Sequence, residues 1–248
     1  PDIIVLPEVI VCGGLLGAAA ECSFPLEGDI LDRFSALSKK HNCYITIPLY
    51  LAEEGSSGIY RNSMVLVNRK GNIEGIYHKY HPVIGHDGKT LEGGVQPGSE
   101  FPVFNCDFGK VGMQICFDIS FDDGWTALKK NGAELVLWST QSPQTARPAS
   151  IALRERFFIV SSTWRNNVSL FEPTGMTVAT ATEPESILIQ EIDLSYMILP
   201  WSQKLRNGEY LKELYGDRVG FRYYESEDCG IFWSNDNATS VYDLVKEV

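Results

Sequence analysis

Three polar residues of the chain each stand directly after an apolar run. Glu8 follows Ile3-Ile4-Val5-Leu6-Pro7, Lys79 follows Gly75-Ile76-Tyr77-His78, and Cys116 ends Val111-Gly112-Met113-Gln114-Ile115. On sheet-based folds, groups at strand ends are the ones that project into active sites. Singly, each residue has an ordinary structural role: a capping or solvated glutamate, a surface lysine, a buried inert cysteine. Together they form a reactive set. A thiol is a strong nucleophile only as the thiolate, and a neighbouring cation lowers its free pKa of about 8.5. A lysine can supply that cation and then hold the oxyanion of a tetrahedral intermediate. A glutamate in an apolar setting has a raised pKa, which suits proton shuttling near neutral pH. The chemistry that uses all three is acyl transfer through a thioester.

The elements that must position these residues are legible as alternating short strands and helices. Asp2–Leu6, Cys43–Leu51, Ser63–Asn68 and Ile73–Tyr77 read as strands, and Gly28–His41 carries Ile30, Leu31, Phe34 and Leu37 at helical spacing. A Gly/Pro-rich loop runs from His81 to Gly98. Phe101–Cys106 and Val111–Cys116 read as strands around the turn Asp107-Phe108-Gly109-Lys110. Further on, helices are expected at Trp125–Lys130 and Ala149–Phe157, and strands at Leu135–Trp138, Phe158–Thr163, Asn167–Phe171, Met176–Ala181 and Ser186–Ile192. Beyond Asp193 aromatic and charged residues mix without alternation, and only Glu209–Tyr215 reads as a helix.

Composition excludes several classes. The chain has 248 residues, 44% hydrophobic and 21% charged, which is ordinary for a globular protein. A net charge of −11 gives no electrostatic attraction for nucleic acid or an anionic membrane, so neither is expected as a partner. The apolar opening from Ile3 to Ala20 contains Glu8, and a carboxylate at the centre of a span costs roughly 3 kcal/mol on insertion scales. That stretch also lacks a basic start, so neither a membrane span nor a signal peptide is expected. The six cysteines show no Cys-x-x-Cys pair or zinc spacing, which reads as reduced thiols in a cytoplasmic setting. His78, His81 and His86 suggest a metal set, but Pro82 and Gly85 disfavour the helix that an HxxH site needs. No metal and no cofactor is expected, and His81 reads instead as a hydrogen-bond partner near Lys79. Asp118 reads as a structural cap. Among Trp125, Trp138 and Trp164, Trp138 is the one expected to line a substrate pocket, because it ends a strand near the predicted site.

Four segments, in order, resemble the signature segments of the nitrilase (carbon-nitrogen hydrolase) superfamily. They are Asp2-Ile3-Ile4-Val5-Leu6-Pro7-Glu8, Tyr77-His78-Lys79-Tyr80-His81-Pro82, Gln96-Pro97-Gly98-Ser99-Glu100, and Gly109 through Asp118 (GKVGMQICFD). The resemblance implies an α/β fold, a four-layer α/β/β/α sandwich, over residues 1–194. It implies Glu8 as general base, Lys79 as oxyanion stabiliser and Cys116 as nucleophile. The backbone N–H of Phe117 becomes the second oxyanion donor. A second glutamate is implied before Pro97-Gly98, with Glu92 the nearest candidate and Glu100 close by. The family's first strand and helix are expected to be missing ahead of Glu8. Residues 195–248 are expected as a C-terminal arm on the body or on a partner subunit, in a homodimer or higher homo-oligomer.

Nitrile-cleaving relatives typically carry Trp-Glu after the cysteine, whereas Phe117-Asp118 resembles the amidase and carbamoylase branches. The expected substrate is therefore a small linear amide or N-carbamoyl amine. Two alternatives stand beside hydrolysis: a catalytically silent binding or assembly module on the same fold, and an acyl- or amidotransferase that uses an acceptor other than water.

Overall fold

The apolar runs at 44–51 and 135–140 become strands buried on both faces, as strands covered by other layers must be, whereas those at 3–4 and 73–78 are only partly buried. The computed structural model describes residues 1–13, 17–53, 55, 58–183 and 187–248. One sheet holds β1 (Ile3–Ile4), β2 (Ser23–Phe24), β3 (Tyr44–Ala52), β4 (Tyr60–Val67) and β5 (Ile73–His78). β1 and β2 run parallel to opposite ends of β3, and β3, β4 and β5 form an antiparallel meander. The second sheet holds β6 (Val103–Cys106), β7 (Gly109–Ile115), β8 (Leu135–Thr140), β9 (Phe158–Thr163), β10 (Val168–Phe171) and β11 (Thr177–Ala181), in spatial order 11-10-9-8-7-6. Its centre, β7-β8-β9, is parallel.

Alternation along the strands sets the layers. Tyr44, Met64, Leu66 and Tyr77 of the first sheet meet Val111, Met113, Ile115, Leu135, Leu137 and Phe158 of the second in one buried core. The opposite face of the first sheet packs Ile45, Ile47, Leu49, Val65 and Val67 under a helix carrying Ile30, Leu31 and Phe34. A short α1 (Ala19–Cys22) precedes that helix, α2 (Asp29–His41). Asp29 and Asp32 lie in its first turn and Lys39, Lys40 and His41 in its last, complementing the helix dipole, and Asn42 closes it at φ 50°. Outside the second sheet lie α3 (Asp123–Lys130) and α4 (Ala146–Glu155), which bury Trp125, Leu128, Ile151 and Ala152 against Val136, Trp138 and Ile159. The result is the α/β/β/α sandwich that the resemblance implies.

The last fifty residues fold into a three-stranded sheet with two short helices. Its elements are β12 (Tyr196–Pro200), α5 (Glu209–Tyr215), β13 (Val219–Tyr224), β14 (Cys229–Ser234) and α6 (Val241–Leu244). Leu205, Leu211, Phe232, Val241 and Leu244 form a local core, while Ile231 also belongs to the inter-sheet core. Fully buried Glu172 accepts two hydrogen bonds from Arg222, at 3.1 and 2.6 Å, and ties this sheet to the end of β10.

Three sequence expectations need correction. Residues 187–192 are not a strand; Ile187 and Ile189 stand 84% and 78% exposed and pair with no strand among the described residues, and Ser186 lies outside them. The region after Asp193 carries three strands where only a helix was read. Cys12 and Cys22 are not reduced thiols but a disulfide, with Cα atoms 6.2 Å apart. Cys43, Cys106, Cys116 and Cys229 are free. Among the described residues, no helix is long and apolar enough to cross a membrane.

Candidate active site

Glu8, Lys79 and Cys116 come from three strand ends, and each is locked by backbone contacts. The segment after β1 is held by the Leu6 N–H on Thr46 Oγ1 (3.1 Å), by Ser139 Oγ on the Leu6 carbonyl (2.7 Å) and by the Trp164 indole N–H on the Glu8 carbonyl (2.7 Å). The next residue, Val9, is fully buried at φ 47°. A β-branched residue in that region is a strained outlier of the kind that collects at functional sites. Lys79 continues from β5, its N–H on the Asn62 carbonyl (2.8 Å) and its carbonyl on the Gly98 N–H (2.8 Å). A Cβ on Gly98 would sit 2.3 Å from the His78 carbonyl oxygen, so only glycine lets the Pro97-Gly98 turn lie this close to the lysine strand.

Cys116 begins a tight turn at φ 41° directly after β7. Two groups hold that turn. Buried Asp118 accepts from the Ile115 N–H (2.9 Å), the His81 N–H (2.8 Å) and Tyr77 Oη (2.8 Å), while the Trp138 indole N–H donates to the Cys116 carbonyl (3.1 Å). Burial holds the Asp118 carboxyl above the usual aspartate range, against the pull of Lys79 and these donors. Asp118 therefore acts as a brace between β5 and β7, the structural role read from the sequence.

At the centre, the Lys79 ammonium lies between two carboxylates. Nζ donates to Glu8 Oε1 at 3.0 Å and to both oxygens of Glu92 at 2.8 Å. Glu8 is fully buried, Lys79 is 1% exposed, and the Glu92 side chain is 7% exposed. Burial alone would lower the Lys79 pKa, but Glu8 and Glu92 outweigh it and hold the ammonium well above the ordinary lysine value. Asn62 Nδ2 donates to Glu8 Oε1 and to Glu92 Oε1, at 2.8 Å each. Among the described residues, Glu8 Oε2 is buried with no hydrogen-bond partner.

The thiol feels both charges of the cluster. Burial and the Glu8 charge push Cys116 up to about 11, while Lys79, the Gln141 backbone and the Thr140 side chain pull it down less strongly. The lowering expected from a neighbouring lysine is present but is outweighed by burial and Glu8. At neutral pH Cys116 is a thiol, and its proton must leave in the reacting step.

The remaining sequence candidates are distributed as follows. Glu92, rather than Glu100, joins the cluster; the adjacent Gly93 at φ 61° lets the turn lie against the Gly17 carbonyl and Tyr50 Oη. Phe117 lies next to Cys116, its ring edge-on to Phe121. The Trp138 ring is fully buried in the core under α3 and α4, reaching the site through its N–H on Cys116. His81 bonds Asp123 at 2.9 Å and stacks on Phe121, so its side chain does not partner Lys79. His78 bonds Ser63 at 2.7 Å. Asn62, Tyr50 and Thr140 were not singled out from sequence. The available signal was the polar stretch Arg61-Asn62-Ser63 at the start of β4, with Asn62 opposite Lys79 across the β4–β5 pair.

Two sheets face to face under outer helices, with a thiol, an ammonium and paired carboxylates at the strand ends, define a nitrilase-type protein. The chain belongs to the carbon-nitrogen hydrolase family, whose sequence model matches residues 2–199. It is 32% identical over 143 residues to a probable nitrilase, C965.09, of Schizosaccharomyces pombe, covering 56% of this chain and 50% of that protein. It is 24% identical over 222 residues to an omega-amidase, NIT2, of Xenopus tropicalis, covering 79% and 78%. A crystal structure of a carbon-nitrogen hydrolase from Helicobacter pylori G27 superposes with a TM-score of 0.64 at 21% identity over 78% of each chain. The chain spans about half the length of the first curated relatives it matches.

Proposed function

We propose that the protein hydrolyses a non-peptide C–N bond, in a linear amide or N-carbamoyl amine, through a thioester on Cys116. The observation that carries this reading is the buried Lys79 ammonium held between Glu8 and Glu92, with the Cys116 thiol electrostatically coupled to Glu8 and Lys79. The Cys116 proton passes to Glu8, whose Oε2 has no other partner, as Sγ bonds to the substrate carbonyl carbon. The resulting oxyanion is held by Lys79 and the Phe117 N–H. The C–N bond then breaks, and the nitrogen leaves as ammonia or an amine carrying the proton from Glu8. Water gives a proton to Glu8 and attacks the thioester, and the C–S bond breaks as the proton returns to sulfur.

The likeness to an omega-amidase supports an amide substrate, and Phe117-Asp118 after the nucleophile supports the amidase or carbamoylase branch. Subunit pairing belongs to the same proposal and is checked by sizing chromatography. The four free thiols accord with the cytoplasmic placement, whereas the Cys12–Cys22 bridge accords with an oxidising compartment; trapping thiols at the moment of lysis decides between them. The test of function is ammonia release from a panel of linear amides and N-carbamoyl amines. Cys116→Ala should abolish turnover while the protein stays folded, and retention of wild-type turnover overturns the mechanism.

A further inference from the structure

Lys79 has three ammonium hydrogens and three carboxylate contacts, one to Glu8 and two to Glu92. If each contact takes one hydrogen, none remains for a substrate oxygen. An oxyanion role requires the two Glu92 contacts to share one hydrogen, or the lysine to release a carboxylate. In the second case the carboxylates need a further anchor, because a buried anion that loses its partner is strongly disfavoured; the Val83 N–H on Glu92 Oε2 (3.1 Å) holds only one of the two.

Asn62 is placed to be that anchor. Its side chain is fully buried, and Nδ2 directs its N–H groups at Oε1 of Glu8 and Oε1 of Glu92, two of the three oxygens that Lys79 contacts. Its main-chain carbonyl accepts the Lys79 N–H. One residue thus fixes the lysine backbone and both carboxylates, with a neutral donor that adds no charge to the cluster. The planar amide also sets the separation of the two oxygens, and so the width of the gap in which the ammonium sits.

We propose that Asn62 is a positioning residue for the thiol chemistry, holding Glu8 and Glu92 in place while Lys79 turns a hydrogen toward the substrate oxygen. The inference rests on the reading of Glu8 as the base for Cys116. Neither the family likeness nor the sequence motifs assign it a role.

The test is the rate at which iodoacetamide alkylates Cys116, followed by peptide mass spectrometry at pH 7.5. In this step the Cys116 sulfur displaces iodide, the S–C bond forms, and the thiol proton goes to Glu8, so no natural substrate is needed. Cys229, partly exposed and remote in sequence, serves as the internal reference. Asn62→Ala removes two hydrogen bonds to charged acceptors and should slow Cys116 alkylation by about 10- to 100-fold, with Cys229 unchanged. Asn62→Asp fills the same volume but adds a third carboxylate, and should be slower still. A residue that only fills space predicts the opposite order, with aspartate nearer to wild type. The pH profile of the Asn62→Ala alkylation rate should also be displaced from that of wild type, which loss of a space-filling side chain alone would not do; this readout stands even if Asn62→Asp does not fold. Glu8→Gln separates the two claims. If Glu8→Gln leaves alkylation unchanged, the base reading fails; if Glu8→Gln slows it and Asn62→Ala does not, the positioning role of Asn62 is refuted.

Discussion

Replacing Lys79 by methionine removes one positive charge and leaves two buried carboxylates facing each other. The contacts of 3.0 Å to Glu8 and 2.8 Å to Glu92 give the ammonium a gross attraction of about 11 kcal/mol at an effective dielectric constant of 20. Most of that is offset by desolvation, and breaking one partner out of a buried ion pair typically costs about 3–5 kcal/mol. In a chain of this length that corresponds to a fall in melting temperature of about 6–20 °C. Because the lysine pKa is raised in the folded state, its stabilisation is fully present below the ordinary lysine value and is lost only at higher pH, so it acts in full at neutral pH. The assay is thermal unfolding of wild type, Lys79→Met, Glu92→Gln and the double variant at pH 7.5. The double variant should recover stability relative to Lys79→Met, because one buried carboxylate charge is removed with the lysine. A Lys79→Met protein as stable as wild type, or a double variant no more stable than Lys79→Met, refutes the electrostatic account of the cluster.

Three further outcomes follow from single contacts. The Cys116 thiol is pushed up to about 11, so its neutral form is favoured by folding; stability is full below the free-thiol pKa of about 8.5 and falls as pH climbs toward 11. Chemical denaturation of Cys116→Ala should show a flatter dependence across pH 8.5–10.5 than wild type. The Cys12–Cys22 bridge closes a short loop, and the chain-entropy model gives about 2.7 kcal/mol for such a ring. Non-reducing peptide mapping should recover the linked pair, and Cys12→Ser should unfold at lower denaturant by that amount. Trp138→Phe keeps most of the ring volume but removes the donor to the Cys116 carbonyl, and should cost about 1 kcal/mol with slower Cys116 alkylation.

The parts of the molecule legible in the sequence were those governed by local pattern. Tyr44–Ala52 is apolar along nearly its whole length because β3 is buried on both faces, and α2 shows helical spacing because only one face meets the sheet. Glu8, Lys79 and Cys116 stood out because a polar residue directly after an apolar run marks the end of a strand. The unread parts depend on pairing between distant residues. β13 and β14 carry Gly220 and Gly230, which lie against the Trp233 ring and the Tyr223 and Phe232 rings, so those strands lack the alternation of a half-buried sheet. Cys12 and Cys22 are separated by a spacing that signals no motif, and only their approach in space defines the bond. Asn62 is one of three adjacent polar residues in β4, Arg61-Asn62-Ser63, with nothing to single it out until Lys79, Glu8 and Glu92 are brought to it from three other segments. The Cys116 pKa likewise follows from burial outweighing the lysine, a balance set by tertiary packing.

The central claim is that Cys116 carries the acyl group. Intact-protein and peptide mass spectrometry after rapid acid quench, with a panel of linear amides and N-carbamoyl amines, tests it directly. A substrate that turns over should leave a mass increment equal to its acyl group on the peptide containing Cys116, absent in Cys116→Ala and strongly reduced in Lys79→Met. Turnover of a substrate with the acyl group found on another residue, or turnover undiminished in Cys116→Ala, contradicts the account.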